Sequence, residues 1–325
     1  MSRFAKYAWG VLAGNLAVVL WGAFVRASGS GAGCGSHWPL CQGEVIPRDP
    51  ATATLIELAH RVTSGSALLL VVGLFLWSRR AAPRGSDVRL GAALSLVFML
   101  GEALLGAGLV LFKLVAQNDS LGRAFALSAH LLNTFLLLGS LALTAWWASD
   151  GPPVRLRGQG AVVWALGAAL LATMVVGMSG AITALGDTLF PAASLGEGLR
   201  QDASPTAHIL LRLRVLHPAA AVALGVYLIS VAVAVAVAAQ HNDPRLGRLA
   251  RALGTLIVLQ WLVGMANIAL LAPIWLQLTH LLLADAVWVT LVLLSAVALA
   301  DRRPARAAGP RPALTEPVVA TGTGA

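Results

Sequence analysis

Four histidines stand one apiece in long apolar stretches of this chain: His60, His130, His217 and His280. An ionisable group inside a bilayer is costly and marks a site unless a neighbour satisfies it. The bland reading is four imidazoles, each hydrogen-bonded within the fold. Taken in pairs, one per helix, they form the arrangement that grips an iron porphyrin from both faces. A bare zinc or copper ion would be short of donors with two imidazoles. In "LIELAHRVTSG" Glu57 precedes His60 by three residues, which places both on one helical face, whereas "LLRLRVLHPAA" has Arg214 at the position matching Glu57. A group able to take a proton beside one porphyrin, and a cation suited to a propionate beside the other, assign chemistry to the first pair and electron storage or transfer to the second. Glu57 could instead serve only as the i+4 partner of Arg61.

The two cysteines, Cys34 and Cys41, share a water-facing, glycine-rich loop, "RASGSGAGCGSHWPLCQGEVIP", residues 26–47. Three readings stand: a structural disulfide contributing about 2–3 kcal/mol by loop closure, a dithiol/disulfide pair that exchanges electrons, or a Cys34, His37 and Cys41 site for copper or zinc. Nothing else in the sequence supports copper. "GSGAG" lacks the spacing of a dinucleotide fingerprint. Arg26, Arg61, Arg123, Arg212 and Arg214 fall at the outer rim, where cations meet porphyrin propionates or lipid headgroups. His37, His208 and His241 read as surface residues, and Glu102 as a packed carboxyl opposite Gln260 in the repeat described below. Pro218 removes the backbone bond to Arg214 and predicts a bend beside His217.

Positioning these residues requires helices in lipid. The chain has 325 residues, 58% hydrophobic and 11% charged, with a mean hydropathy of +0.79, outside the range of soluble domains. A hydrocarbon core of about 30 Å takes roughly 20 apolar residues per helix, and eight segments qualify: 8–25, 54–77, 90–112, 122–147, 160–184, 208–239, 248–271 and 273–299. The net charge of +9 does not indicate nucleic acid, because the basic residues concentrate in alternate loops: Arg3 and Lys6; Arg79, Arg80, Arg84 and Arg89; Arg155 and Arg157; Arg245, Arg248 and Arg251; and Arg302, Arg303, Arg306 and Arg311. By the positive-inside rule both termini are cytoplasmic and the cysteine loop, 26–53, faces the extracytoplasmic side of the plasma (cytoplasmic) membrane, where disulfides persist.

The chain also repeats itself. "VRASGSGAGCGSHWPL" is echoed by "VGMSGAITALGDTLFP": Ser28-Gly29 answers Ser179-Gly180, Gly35 answers Gly186, Trp38-Pro39 answers Phe190-Pro191, and Leu185 stands in the place of Cys34. His60 pairs with His217, His130 with His280, and Gly106 with Gly264. Each unit has four spans, so the copies share one orientation about an axis along the membrane normal. The expected architecture is an all-α membrane protein of two tandem, pseudo-symmetric four-helix bundles: 1–150, the catalytic half; 151–301, the cofactor half; and 302–325, a disordered Pro/Ala/Gly/Thr tail.

"GCGSHWPLC", "ELAHR" and single histidines in the second, fourth, sixth and eighth segments resemble the membrane haem A synthases over nearly the whole chain except the tail. The resemblance implies oxidation of the C8 methyl of haem O to a formyl group, giving haem A for terminal oxidases by successive hydroxylations. It implies a substrate haem between His60 and His130 with Glu57 as the key carboxylate, and a haem b cofactor on His217 and His280. A haem O synthase (a prenyltransferase), an electron acceptor and membrane lipid are the implied partners, and an oligomer is compatible with the sequence. Some members carry a second cysteine pair in the fifth loop; this chain has none. The alternative is a di-haem cytochrome b that moves electrons between quinone and periplasmic thiols without modifying haem.

Overall fold

The computed structural model describes residues 1–238 and 243–300. His241, the tail 302–325 and its arginines Arg302, Arg303, Arg306 and Arg311 lie outside the described residues. Among these residues the chain forms nine helices: α1 (Arg3–Ala27), α2 (Thr52–Ala81), α3 (Asp87–Leu111), α4 (Leu121–Ala148), α5 (Ala161–Leu189), α6 (Leu195–Ala203), α7 (Ile209–Ala238), α8 (Pro244–Ala269) and α9 (Ile274–Ala298). All but α6 are long and apolar enough to cross a bilayer, so this is a multi-pass membrane protein. The ends follow local chemistry. Ser2 accepts from Ala5 N, and Ser120 from Arg123 N. Asp243 accepts from Arg245 N just before Pro244 at the first helical turn, which satisfies donors left open where a helix begins.

The spans alone do not reveal α6. Its start carries a capping pattern, "SLGE": Ser194 Oγ accepts from Glu197 N at 3.2 Å, and Glu197 Oε2 accepts from Ala193 N at 3.0 Å. That signature was available in the sequence; nine residues are too few to span lipid, so hydropathy passes over it.

Helices α1 and α3 each pack against both α2 and α4, which places α2 and α4 at opposite corners of a four-helix ring. Likewise α5 and α8 each pack against both α7 and α9. The two groups meet through α4 against α5 and α9, and through α1 against α9. Half of the apolar window of α4 and of α9 is buried, against 11–28% for the other six spans, so these two form the centre of the molecule. Phe135 of α4 stacks on Trp288 of α9 with centroids 5.0 Å apart, and Trp288 Nε1 donates to Phe135 O at 2.6 Å. Arg26 reaches from α1 into the other group, donating to Ala184 O and Thr188 Oγ1, both at 2.7 Å, and to Gln277 Oε1 at 3.0 Å. At the opposite end, Arg155 N donates to Leu299 O at 2.8 Å, so the connection between α4 and α5 is tied to the end of α9.

The register of the internal echo differs from the one read in the sequence. α1 ends at Ala27, but α5 continues to Leu189, so Ser179-Gly180 lies inside a helix rather than beyond one. A β-carbon on Gly22 would stand 2.9 Å from His60 Cε1, and one on Gly180 would stand 3.0 Å from His217 Cε1. Gly22, not Gly29, is therefore the packing counterpart of Gly180. A β-carbon on Gly33 would meet the backbone of Ala53, and one on Gly186 the backbone of Leu210. Gly33 thus takes the place assigned to Gly35, and Asp187, the residue after Gly186, takes the place assigned to Leu185. Matching by letters favoured the serine-glycine pairs; the close approaches that require glycine set the physical register.

Candidate functional site

His60, His130, His217 and His280 lie six to nine residues beyond the first residues of α2, α4, α7 and α9. His60 and His130 are near enough to interact electrostatically, as are His217 and His280. Each pair therefore comes from diagonal helices and faces the interior of its ring. Three of the imidazoles rest on a glycine: Gly22 of α1 under His60, Gly180 of α5 under His217, and Gly264 of α8, whose β-carbon would be 3.2 Å from His280 Cε1. Gly106 does not repeat the contact of Gly264, since nothing lies within 4 Å of its β-carbon position. α7 carries Pro218 inside the helix, directly after His217.

The residues fit a porphyrin iron. His60 Nδ1, His130 Nδ1 and His280 Nδ1 are buried with no hydrogen-bond partner among the described residues, and a ring nitrogen in that state carries either a proton in want of an acceptor or a lone pair in want of a donor or a metal. Ser179 Oγ lies 2.9 Å from His217 Nδ1, which fixes that ring and directs its other nitrogen away. Among the described residues no three His, Cys, Asp or Glu side chains converge as a metal site. Two imidazoles would suffice where a porphyrin supplied the other four nitrogens.

Around the first pair the cysteine loop closes over α2. Cys34 and Cys41 form a disulfide, and both are fully buried, although most of the loop between them is exposed. The thiols are not water-facing, and both sulfurs are committed to each other rather than to a metal site with His37. Glu57 is buried at 4% exposure; its Oε2 accepts from Cys34 N at 2.8 Å and its Oε1 from Arg61 Nη2 at 2.5 Å. Arg61 Nη1 also donates to His37 O at 2.7 Å and Leu40 O at 2.6 Å. The Arg61 pairing weighed as the bland reading is thus real, but Glu57 holds the loop as well. A pocket of about 270 Å³ lies where the loop covers α2, lined by Pro39, Leu40, Val45, Leu58, Arg61 and Val62.

The corresponding place in the second half has its charges reversed. Arg214 donates to Asp187 Oδ1 at 2.9 Å and to Asp202 Oδ1 at 2.5 Å, the latter at the end of α6. Helix α6 therefore does for Arg214 what the cysteine loop does for Glu57. Each of the five rim arginines already has protein acceptors: Arg26, Arg61 and Arg214 as above, Arg123 the carbonyls of Ala116 and Asn118 at 2.5 and 2.9 Å, and Arg212 that of Pro205. His37 is exposed; His208 is half-buried, 3.9 Å from Asp119 and with its ring against Phe190.

Two carboxyls gain weight from the structure. Glu102, read in the sequence as merely packed, has Oε2 2.8 Å from His130 Nδ1. Asp285 in α9 is fully buried, and neither of its oxygens has a hydrogen-bond partner among the described residues. A lone acid in "LLLADAVWV" was the signal for the second; the first could not be found without knowing which faces of α3 and α4 meet.

A family model described as cytochrome oxidase assembly protein (COX15-CtaA) matches residues 5–292. The chain belongs to this family. Among its relatives, the heme A synthase of Halalkalibacterium halodurans is 39% identical over 140 residues, covering 43% of this chain and 45% of that protein. The heme A synthase of Alkalihalophilus pseudofirmus is 42% identical over 129 residues, 40% of this chain and 43% of that protein. A protein of Thermus thermophilus named protoheme IX farnesyltransferase is 56% identical over 298 residues, 92% of this chain but 49% of that protein. The chain spans about half the length of the farnesyltransferase relatives it matches. The resemblance drawn from the loop and the histidines is thus to the right family.

Proposed function

We propose that this chain is a haem A synthase, an oxidoreductase of the extracytoplasmic half of the plasma membrane with both termini in the cytoplasm. Its substrate is haem O, and the C8 methyl becomes a formyl group through successive hydroxylations, with an electron acceptor taking the electrons released. Residues 1–150 are read as the substrate half and 151–301 as the cofactor half, two pseudo-symmetric bundles. His60 and His130 would hold the substrate haem; His217 and His280 would hold a haem b. Haem iron, when bound, supplies the redox chemistry.

One observation carries the assignment of roles: Glu57 and Arg214 occupy equivalent positions three residues before His60 and His217 and bear opposite charges. A carboxylate one helical turn from the ligand can take or hold a proton beside the reacting group; a guanidinium there can only neutralise an anion. Glu57 is also fixed to the amide of Cys34, so the disulfide loop acts as a lid that sets the carboxylate in place over the first half. The farnesyltransferase names of relatives about twice this length support a prenyltransferase as the partner that supplies haem O.

The test is haem extraction from membranes that express the chain with a haem O source. Wild type yields haem A and a hydroxylated intermediate, and Glu57→Ala yields haem O with little haem A. Normal haem A from the variant would remove Glu57 from the reaction, and haem b as the sole haem of the wild type would support the electron-carrying cytochrome instead.

A further inference from the structure

Among the described residues, His130 alone of the four imidazoles has a carboxylate within ion-pair distance of its ring. Glu102 Oε2 is 2.8 Å from His130 Nδ1, a close charge contact rather than an aligned hydrogen bond, and the two side chains are 14% and 27% exposed. The other oxygen of Glu102 is held too: Asn133 Nδ2 donates to Oε1 at 2.6 Å, and Thr134 Oγ1 lies 3.1 Å from it. Asn133 itself is seated on Gly101, where a β-carbon would come within 2.6 Å of Asn133 Oδ1. Glu102 is therefore held by three neighbours on α4, with one oxygen turned to the imidazole. In the second half the matching residue is Gln260, whose Nε2 lies 3.3 Å from His280 Nε2 and whose Oε1 has no partner among the described residues. His217 meets the Ser179 hydroxyl. Glu57, one turn before His60 on the same helix, is already engaged by Cys34 and Arg61.

We propose that Glu102 is a positioning residue that sets the donor strength of His130 and makes the two haem sites electronically unequal. A carboxylate at Nδ1 holds the proton on that nitrogen, frees the Nε2 lone pair for iron, and pushes electron density into the ring. An iron held in the first site would thereby be biased toward its oxidised state relative to the second, where a neutral amide meets the histidine at Nε2 and leaves Nδ1 as the unpartnered nitrogen. The inference rests on the reading that each histidine pair holds a haem. It gives Glu102 a role apart from that of Glu57, which lies on α2 and contacts the loop rather than a ligand.

The experiment uses the full chain purified with its haems in detergent. Equilibrium redox titration and the low-spin ferric EPR spectrum are recorded for wild type, Glu102→Gln and Gln260→Glu. Glutamine preserves the size of Glu102 and can keep the contacts with Asn133 and Thr134, so a purely structural role would leave the potentials unmoved. The expected result is that Glu102→Gln raises one midpoint by a tenfold change in the Fe(III)/Fe(II) ratio, about 59 mV, while Gln260→Glu lowers the other. Midpoints unchanged in both variants would overturn the inference. Should Glu102→Gln lose its haem, Gln260→Glu decides alone, and a midpoint that does not fall overturns it. His60→Ala and His130→Ala test the underlying reading separately: a haem content and EPR spectrum unchanged in both would sink the ligation scheme itself.

Discussion

Replacing Gly22 with alanine adds one methyl group at the tightest glycine contact with a histidine. The new carbon would stand 2.9 Å from His60 Cε1, well inside the roughly 3.5–4.0 Å at which carbon atoms pack comfortably. Two effects compete. Alanine in a helix interior is worth up to about 1 kcal/mol over glycine, while forcing a methyl into a filled space costs about 1–3 kcal/mol. Gly106→Ala isolates the first effect, since nothing lies within 4 Å of its β-carbon position. The difference between the two variants should therefore be about 1–3 kcal/mol, and the imidazole, the more yielding partner, should be displaced from the orientation that faces His130. Gly180→Ala, at 3.0 Å from His217, and Gly264→Ala, at 3.2 Å from His280, should follow in decreasing severity. The assay is bis-imidazole haem absorbance per protein together with the thermal midpoint in detergent. Gly22→Ala with the haem content and midpoint of Gly106→Ala would refute the idea that these glycines seat the histidines.

Three further outcomes follow from the same geometry. Arg61→Ala leaves the buried Glu57 carboxylate without its cation and releases the His37 and Leu40 carbonyls, so it should destabilise by roughly 3–5 kcal/mol and open the loop around Trp38 to protease. A Glu57→Gln/Arg61→Met double variant should lose less than the sum of the two single changes, and strict additivity in thermal unfolding would show that the pair is not coupled. Cys34→Ser/Cys41→Ser should cost about 2–3 kcal/mol for a bridge of seven-residue separation. Haem A produced at the normal rate by that variant would leave the disulfide a staple, and a rate that falls with the protein still folded would give it a redox part. Asp285→Leu removes a buried carboxyl that has no partner among the described residues and should stabilise the protein by about 1–3 kcal/mol; a lower thermal midpoint would mean that the acid is paired in the working protein.

The two halves share a frame but solve one local problem with opposite charges. Near the mouth of the first, an acid on the spanning helix is met by an amide and an arginine; near that of the second, an arginine is met by Asp187 and Asp202. Arg26 and Ala184 hold nearly equivalent positions in the two copies, and they touch. That contact requires the halves to pack with these helix ends adjacent. The central pair α4 and α9 carries one of the proposed haem-ligand histidines each, so whatever shifts the Phe135–Trp288 stack should bear on both proposed sites together.

Much of this protein was determined by the sequence alone. Apolar length fixes eight spans, because an unpaired backbone in lipid has no alternative to the helix. The solitary histidines, the Glu57/Arg214 contrast and the paired cysteines could be read without coordinates, since an ionisable residue in an apolar run stands out by type. Tertiary structure decided what depends on how faces meet. It buried both cysteines beneath an exposed loop, turned Glu57 toward the Cys34 amide as well as Arg61, and moved the repeat register from Gly29 to Gly22. It also raised Glu102 from a packed carboxyl to the partner of His130. In each case the sequence names the group, but the angle at which two helices cross decides which atoms it reaches, and a membrane helix, apolar on every side, carries little in its periodicity to say which face turns inward.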